Sequence, residues 1–228
     1  MTVAIPQLTV ERRLLRDHAV VIACDEVGRG ALAGPVAVGA VMVDADNARR
    51  RVPEGLRDSK LIAERHRPAV AAHAAAWAGA SAIGWSSAAE IDEVGIIRAL
   101  GLAALRAIAD LRVAGVVPED AVVILDGNHD YITPAARAGG PDGPGGMCLR
   151  VRPVVKADRD CASAAAASVL AKVARDDLMV GLHEELPVYC WARNKGYASA
   201  AHRAAIRAHG LSRHHRASWA IADAPALF

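Results

Sequence analysis

Ala19-Val20-Val21-Ile22-Ala23-Cys24-Asp25-Glu26-Val27-Gly28-Arg29-Gly30-Ala31-Leu32-Ala33-Gly34-Pro35-Val36 decides the fold class of this chain. A β-branched, apolar run ends in two adjacent acids, and a glycine-punctuated turn carrying an arginine follows. Residues 18–24 therefore predict a strand, and residues 36–43 predict a second one, antiparallel to it across the turn. Neighbouring carboxylates repel each other, so both stay ionised only where solvent, a cation or a metal offsets the repulsion. A strand end is also a rigid mount of the kind a metal site needs. Arg29, just past the acids, is placed to meet an anion. The segment reads as metal and phosphate chemistry together.

Two further apolar runs end in the same way. Ala121–Leu125 is followed by Asp126 and the turn Gly127-Asn128, and residues 151–155 lead into Lys156-Ala157-Asp158. A short strand over residues 80–85 completes the set. Between the strands lie a helical stretch through Glu64, Arg67, Val70 and Ala74, and a region from the capping-box pattern Ser87-Ala88-Ala89-Glu90 to about Leu111. An alanine-rich helix is expected over residues 163–182, close-packed on the sheet, and residues 134–146, with three prolines and five glycines, are expected to be a flexible surface loop. The order predicts an α/β fold, a mixed five-stranded sheet flanked by helices with a C-terminal helical extension. The expected division is an α/β domain over 1–185, which would carry any site at the strand ends, and a basic, helical extension over 186–228 packed on it.

One strand-end acid is usually a turn former or a helix cap. Three strand ends carrying acids are harder to explain that way. If the strands are neighbours and run the same way, Asp25, Glu26, Asp126 and Asp158 meet at one sheet edge. An all-oxygen set suits Mg²⁺ or Mn²⁺ rather than zinc or copper. Two such ions about 4 Å apart would hold the attacking and leaving oxygens of a phosphodiester.

Composition narrows the partners. A chain of 228 residues with a net charge of +2 is not held to nucleic acid by bulk charge, although a local basic groove is compatible with it. From Leu186 to Ala222 there is no acid, while Arg193, Lys195, Arg203, Arg207, Arg213 and Arg216 are joined by four histidines. That stretch is a candidate phosphate-contacting surface. Cys24, Cys148, Cys161 and Cys190 have no framework spacing and read as reduced thiols of a cytoplasmic protein. No segment approaches membrane-spanning length.

The glycine turn resembles the signature of the type 2 ribonucleases H, specifically ribonuclease HII. The resemblance continues through Asp58-Ser59-Lys60-Leu61, Glu90-Ile91-Asp92-Glu93-Val94-Gly95-Ile96, Leu125-Asp126-Gly127-Asn128 and Val155-Lys156-Ala157-Asp158. It closes with residues 166–176, Lys195-Gly196-Tyr197, His202 and His215-Arg216. It implies a ribonuclease H-like fold and a two-metal site on Asp25, Glu26, Asp126 and Asp158. The implied reaction leaves a 5′-phosphate and a 3′-hydroxyl, on RNA–DNA hybrids and on duplex DNA containing ribonucleotides. Gly28, Arg29 and Gly30 would meet the backbone at the junction and sense the 2′-hydroxyl, the group that separates RNA from DNA. Tyr197 matches the tyrosine that packs on the following sugar, and Lys60 is a candidate phosphate contact. The chain departs from the pattern at Ala157, where glycine is usual, at Trp219, where phenylalanine is common, and at Arg159-Asp160-Cys161. Asp160 is the substitute if Asp158 is not the fourth acid.

Two other readings compete. Gly28-x-Gly30-x-x-Ala33 after a strand also fits a dinucleotide-binding fingerprint, with Asp46 as its distant acid, provided a helix starts inside the turn. A non-catalytic nucleic-acid-binding module would leave the acids dispensable. The apolar terminus Leu227-Phe228 is a candidate sliding-clamp tag on an otherwise monomeric protein.

Overall fold

Five strands and the helices between them are laid out by the apolar pattern. In the computed structural model, which describes residues 5–138 and 147–219, helix α1 (Thr9–Leu14) leads into β1 (Val20–Val27) and β2 (Val36–Val43). There follow α2 (Arg67–Trp77), β3 (Ala80–Ser86), α3 (Ala88–Val94), α4 (Ile96–Val113), β4 (Ala121–Asp126) and α5 (Ile132–Ala138). The rest comprises β5 (Arg150–Val154), α6 (Ala157–Asp160), α7 (Ala162–Glu185), α8 (Trp191–Asn194) and α9 (Ala200–His209). The strands make one mixed sheet in the order β3-β2-β1-β4-β5. β1, β4 and β5 are parallel neighbours, while β2 is antiparallel to both β1 and β3. The three acid-bearing strands thus lie side by side and point the same way. Pro153 is tolerated because β5 is an edge strand, where a missing donor costs no ladder bond.

Alternation sends successive residues of β1 and β4 to opposite faces. Ile22, Cys24, Val123 and Leu125 pack with Leu100, Ile108 and Leu111 of α4. Val21, Ala23, Val122 and Ile124 pack with Ala157, Cys161 and Ala164. α7 keeps alanines on its buried side, Ala164 to Ala167 all fully buried, so the 24-residue helix can lie close to the sheet. Its N-terminus is capped from a distance: Ser163 donates its N–H (2.9 Å) and its hydroxyl (2.7 Å) to Glu11 Oε1.

Three local expectations are corrected. β1 runs on through Asp25 and Glu26, paired with Gly39 and Val38 of β2, so the acids lie within the strand. The helical region after Ser87 keeps its capping box but breaks in two at Gly95, whose φ of 78° a glycine adopts without strain. The expected loop begins as helix: residues 134–138 belong to α5, whose first N–H groups, those of Ile132 and Thr133, donate to Asp130 Oδ1. Pro134 sits in that first turn, where its absent N–H is not needed. Residues 139–146 lie outside the described residues.

The segment after α7 packs through a buried aromatic and histidine cluster. Tyr189 and Trp191 stack with centroids 5.1 Å apart, and Trp191 Nε1–H donates to His202 Nε2 at 3.0 Å. His202 Nδ1 lies 2.9 Å from the Tyr197 carbonyl, so Nδ1 carries the proton. His215 Nδ1 accepts from the Ser212 N–H at 2.9 Å, so its Nε2–H donates to His202 Nε2 at 3.1 Å. Both rings are neutral in this arrangement. Burial, with His202 next to it, pushes His215 from its ordinary 6.5 down to about 4.

Between those values the unfolded chain binds a proton that the folded ring refuses, so the contribution of His215 is full above 6.5 and is lost as the pH falls toward about 4. The difference in melting temperature between wild type and His215→Asn should therefore shrink from about pH 7.5 to about pH 5, read by calorimetry. A constant difference would show that His215 does not titrate in the fold.

Candidate active site

Parallel pairing of β1 with β4 stops at Cys24↔Leu125, so Asp25 and Asp126 emerge as neighbours just past the last paired residues. Parity puts Asp25 on the face of Val21 and Ala23, and Asp126 on the face of Val122 and Ile124, which is the α7 side. Asp158, in the single turn of α6, is buried, and its backbone N–H donates to Asp126 Oδ1 at 3.2 Å. Glu26 takes the opposite face. Tyr131 donates its hydroxyl to Glu26 Oε2 at 3.2 Å, and Arg29 Nη1 lies 3.4 Å from Oε1. Three of the acids thus share the α7 face, and Glu26 reaches the same edge from the other.

Asp25 is 6% exposed. Burial first, and then the charges of Asp126, Glu26 and Asp158, hold its carboxyl well above the usual range, with Ser168 alongside pulling the other way. Burial, Asp126 and Asp58 push Asp158 up to about 6, partly offset by Lys60. Lys60 Nζ is 3.8 Å from Asp158 and 3.9 Å from Asp58. Burial works against its charge, yet Asp58, Asp25, Asp158 and Asp126 raise its pKa overall. Asp160, the substitute, is exposed and bound to Arg159 at 2.8 Å, whereas Asp158 is buried beside Asp126.

Among the described residues, no three His, Cys, Asp or Glu side chains are drawn together as a cluster that could hold a metal ion. The partners explain the spread. Glu26 is taken by Tyr131 and Arg29, Asp158 by Lys60, and Asp126 by the Asp158 amide. The donors are nonetheless all oxygen, and Asp25 is a buried carboxylate amid three others. That is the imbalance a hard divalent cation relieves, so the residues fit such an ion.

The turn between β1 and β2 is fixed from behind by two fully buried arginines. Arg175 of α7 donates to the carbonyls of Pro35 (2.8 Å), Lys195 (2.9 Å) and Ala33 (3.1 Å). Arg216 donates to those of Gly28 (2.7 Å), Arg29 (2.9 Å) and Gly34 (3.1 Å), with Trp219 stacked 4.8 Å from its guanidinium. Gly28 has a φ of 85°, and a Cβ there would collide with the Arg175 guanidinium. At Gly30 an added Cβ would meet nothing within 4 Å. No helix starts in this turn, which excludes the dinucleotide fingerprint.

A cavity of about 450 Å³ is lined by Asp25, Glu26, Gly28, Arg29, Gly30, Lys60, Ser168, Lys172 and Tyr197. Asp126 and Asp158 are not in its lining and join it through Lys60. The Tyr197 ring has Arg175 Cζ at 5.4 Å and Lys172 Nζ at 5.8 Å from its centroid. Lys172 is also bound to Asp176 at 2.6 Å.

The basic stretch after Leu186 is not one surface. Arg216, His202 and His215 are buried, and Lys195 pairs with Glu64 at 3.0 Å. Sequence gives no role to Tyr131 or Arg175, and Arg216, expected on a phosphate-contacting surface, is instead buried and holds the glycine turn. The available sign for Arg175 was a lone arginine on the alanine-rich side of a helix, and for Tyr131 there was none.

Known proteins resemble this chain in sequence and in fold. The family model described as Ribonuclease HII matches residues 22–222. Ribonuclease HII of Streptomyces avermitilis is 43% identical over 221 residues, 96% of this chain and 85% of that protein. The fold matches ribonuclease HII in the PCNA:RNase HII complex from Archaeoglobus fulgidus, with a TM-score of 0.67 and 24% identity over 88% of this chain and 95% of that one. It also matches Bst-RNase HIII in complex with Mn²⁺, with a TM-score of 0.65 and 22% identity over 90% of this chain and 67% of that one.

Proposed function

The chain belongs to the ribonuclease HII family and is a type 2 ribonuclease H, and on that premise we propose that it nicks duplex DNA on the 5′ side of embedded ribonucleotides. It also cuts the RNA of RNA–DNA hybrids, leaving a 5′-phosphate and a 3′-hydroxyl. The observation that supports this reading best is the cavity shared by buried carboxylate, the clamped Gly28-Arg29-Gly30 turn and Tyr197.

Divalent-metal dependence goes with the family. In the finer proposal, Asp25, Glu26, Asp126 and Asp158 hold two ions, Mg²⁺ or Mn²⁺. When bound, the ions supply Lewis-acid stabilisation of charge on the phosphoryl group. The protein's own part is positioning. Arg175 and Arg216 fix the turn, so its main chain meets the ribonucleotide without reorganising. Gly30, open on its outer side, leaves room for the 2′-hydroxyl to approach the backbone. Arg29, 49% exposed along its side chain, and Lys60 offer cations to flanking phosphates. Tyr197, backed by Arg175, packs on the next sugar and excludes a 2′-hydroxyl there. The division at residue 185, a monomeric state and a cytoplasmic location belong to the same proposal; among the described residues no helix is long and apolar enough to cross a membrane. A sliding-clamp contact through Leu227-Phe228 is its outermost part, and those two residues lie outside the described ones.

Cleavage of a duplex carrying one ribonucleotide, with Mg²⁺, with Mn²⁺ and with EDTA, tests the reaction. A metal-dependent nick 5′ to the ribonucleotide is expected; binding without a nick in either metal would favour the non-catalytic module. Asp25→Asn should lower cleavage at least about a hundredfold. It should also raise metal-free stability by about 1 kcal/mol, because the cost of burying an ionisable carboxyl among other carboxylates is gone. Unchanged cleavage would remove Asp25 from the mechanism. Tyr197→Ala should lose about tenfold more activity on the single-ribonucleotide duplex than on a long hybrid, a difference of about 1.4 kcal/mol. Equal losses would take the junction role from Tyr197.

A further inference from the structure

A second cavity, of about 520 Å³, shares no lining residue with the first. Its walls are residues 5–8, Arg12 and the segment from Arg50 to Arg57 that joins β2 to α2. Four arginines line it, Arg12, Arg50, Arg51 and Arg57, against a single acid, Glu54. Arg12 Nε is pinned to the Ala48 carbonyl at 3.0 Å, and Arg50 to the carbonyls of Trp77 (3.0 Å) and Ala76 (3.3 Å) at the end of α2. Among the described residues, none of the four arginines has an ion-pair partner, unlike the neighbouring Arg49 and Arg67. Guanidinium groups never lose their charge at neutral pH, and their planar forks match phosphate oxygens. Such a cluster in a concave site, left uncompensated, attracts an anion.

Both walls lead to the catalytic edge. On one side, the Gln7 N–H donates to the Asp160 carbonyl and the Ala162 N–H to the Gln7 carbonyl, each at 3.0 Å, which ties this wall to the turn carrying Asp158. On the other, the chain continues from Arg57 through Asp58 and Ser59 to Lys60, whose Nζ is 3.8 Å from Asp158. Three residues of chain reach at most about 11 Å. That length is about three base-pair steps of duplex at 3.4 Å each. A smaller cavity of about 470 Å³ bridges the interval, sharing Glu54, Gly55 and Arg57 and extending to Leu61 and Ile62 beside Lys60.

We propose that Arg51 and Arg57, backed by Arg12 and Arg50, form a second phosphate site that grips the duplex backbone a few base pairs from the cleavage point. The site rests on the nucleic-acid reading above. It is independent of sequence and of the ribonucleotide, and it contributes to affinity and to the shortest duplex used well, leaving the chemical step alone.

The test is binding of labelled duplexes by anisotropy in EDTA, with the full chain. One duplex just covers the cleavage point, and one extends about ten base pairs to each side of it, a full helical turn. Wild type should bind the longer duplex more tightly. Arg51→Ala/Arg57→Ala should lose that gain, weakening the long duplex about tenfold, leave the short one unchanged, and reduce the salt slope by about 2. Arg51→Lys/Arg57→Lys should keep the slope, which separates loss of charge from loss of fold, and melting temperatures of both variants should match wild type. Equal weakening on both lengths, or an unchanged slope, would overturn the site. Wild type that binds with the length effect yet never nicks when Mg²⁺ or Mn²⁺ is supplied would overturn the nuclease reading and leave this site standing; wild type that binds neither duplex would overturn both.

Discussion

The pairing of β1 with β4 is the constraint on which the rest depends. Because the two strands are parallel and their ladder ends at Cys24↔Leu125, the next residue of each is a carboxylate, and parity turns both toward α7. β5 follows in parallel on the far side of β4 and delivers Asp158 through the short α6 turn. A slip of one residue in that register would send Asp126 into the apolar face beneath α4. The alternation that buries Leu125 on one side therefore aims Asp126 to the other.

The edge so formed is destabilising by itself, since Asp25 is buried among carboxylates with little cationic help. Beside it, two buried arginines are hydrogen-bonded to main-chain carbonyls. Arg175 and Arg216 are buried charges too, yet their donors meet six main-chain carbonyls of the Gly28–Pro35 turn and Lys195. Burial and the nearby Arg175 charge lower Arg216 to about 9, which leaves it protonated at neutral pH. The two arginines thus weld the glycine turn to α7 and to the C-terminal segment, and the same Arg175 backs the Tyr197 ring. The glycine turn is held by buried hydrogen bonds while Asp25 lies buried among other carboxylates. Fold stability and site chemistry pull in opposite directions across a few ångströms.

Much of the fold was legible from short windows of sequence. The β-branched runs, the Ser87–Glu90 capping box and the alanine face of α7 are encoded within a few residues, and each formed close to where its pattern lies. Errors arose where a neighbour overrode the local signal. β2 prolonged β1 through its acids, Gly95 divided a helix that apolar periodicity would have continued, and Asp130 drew Pro134 into the first turn of α5. The basic tail was misread as one surface because charge composition does not reveal burial; Arg216 and His215 are core residues.

Sequence by itself determined the five-strand α/β pattern, the acids at the ends of its apolar runs and the family to which the motifs point. These are local features, set by side-chain period, β-branching and turn chemistry. Only the tertiary structure decided that Glu26 reaches the edge from the α4 face to meet Tyr131, 105 residues away, and that Arg216 holds the Gly28 carbonyl across 188 residues. It alone showed Arg12 and the Arg50–Arg57 segment sharing a cavity. Contacts of that separation depend on strand order and register, which no local window carries, because the same side-chain pattern is compatible with many ways of bringing distant segments together.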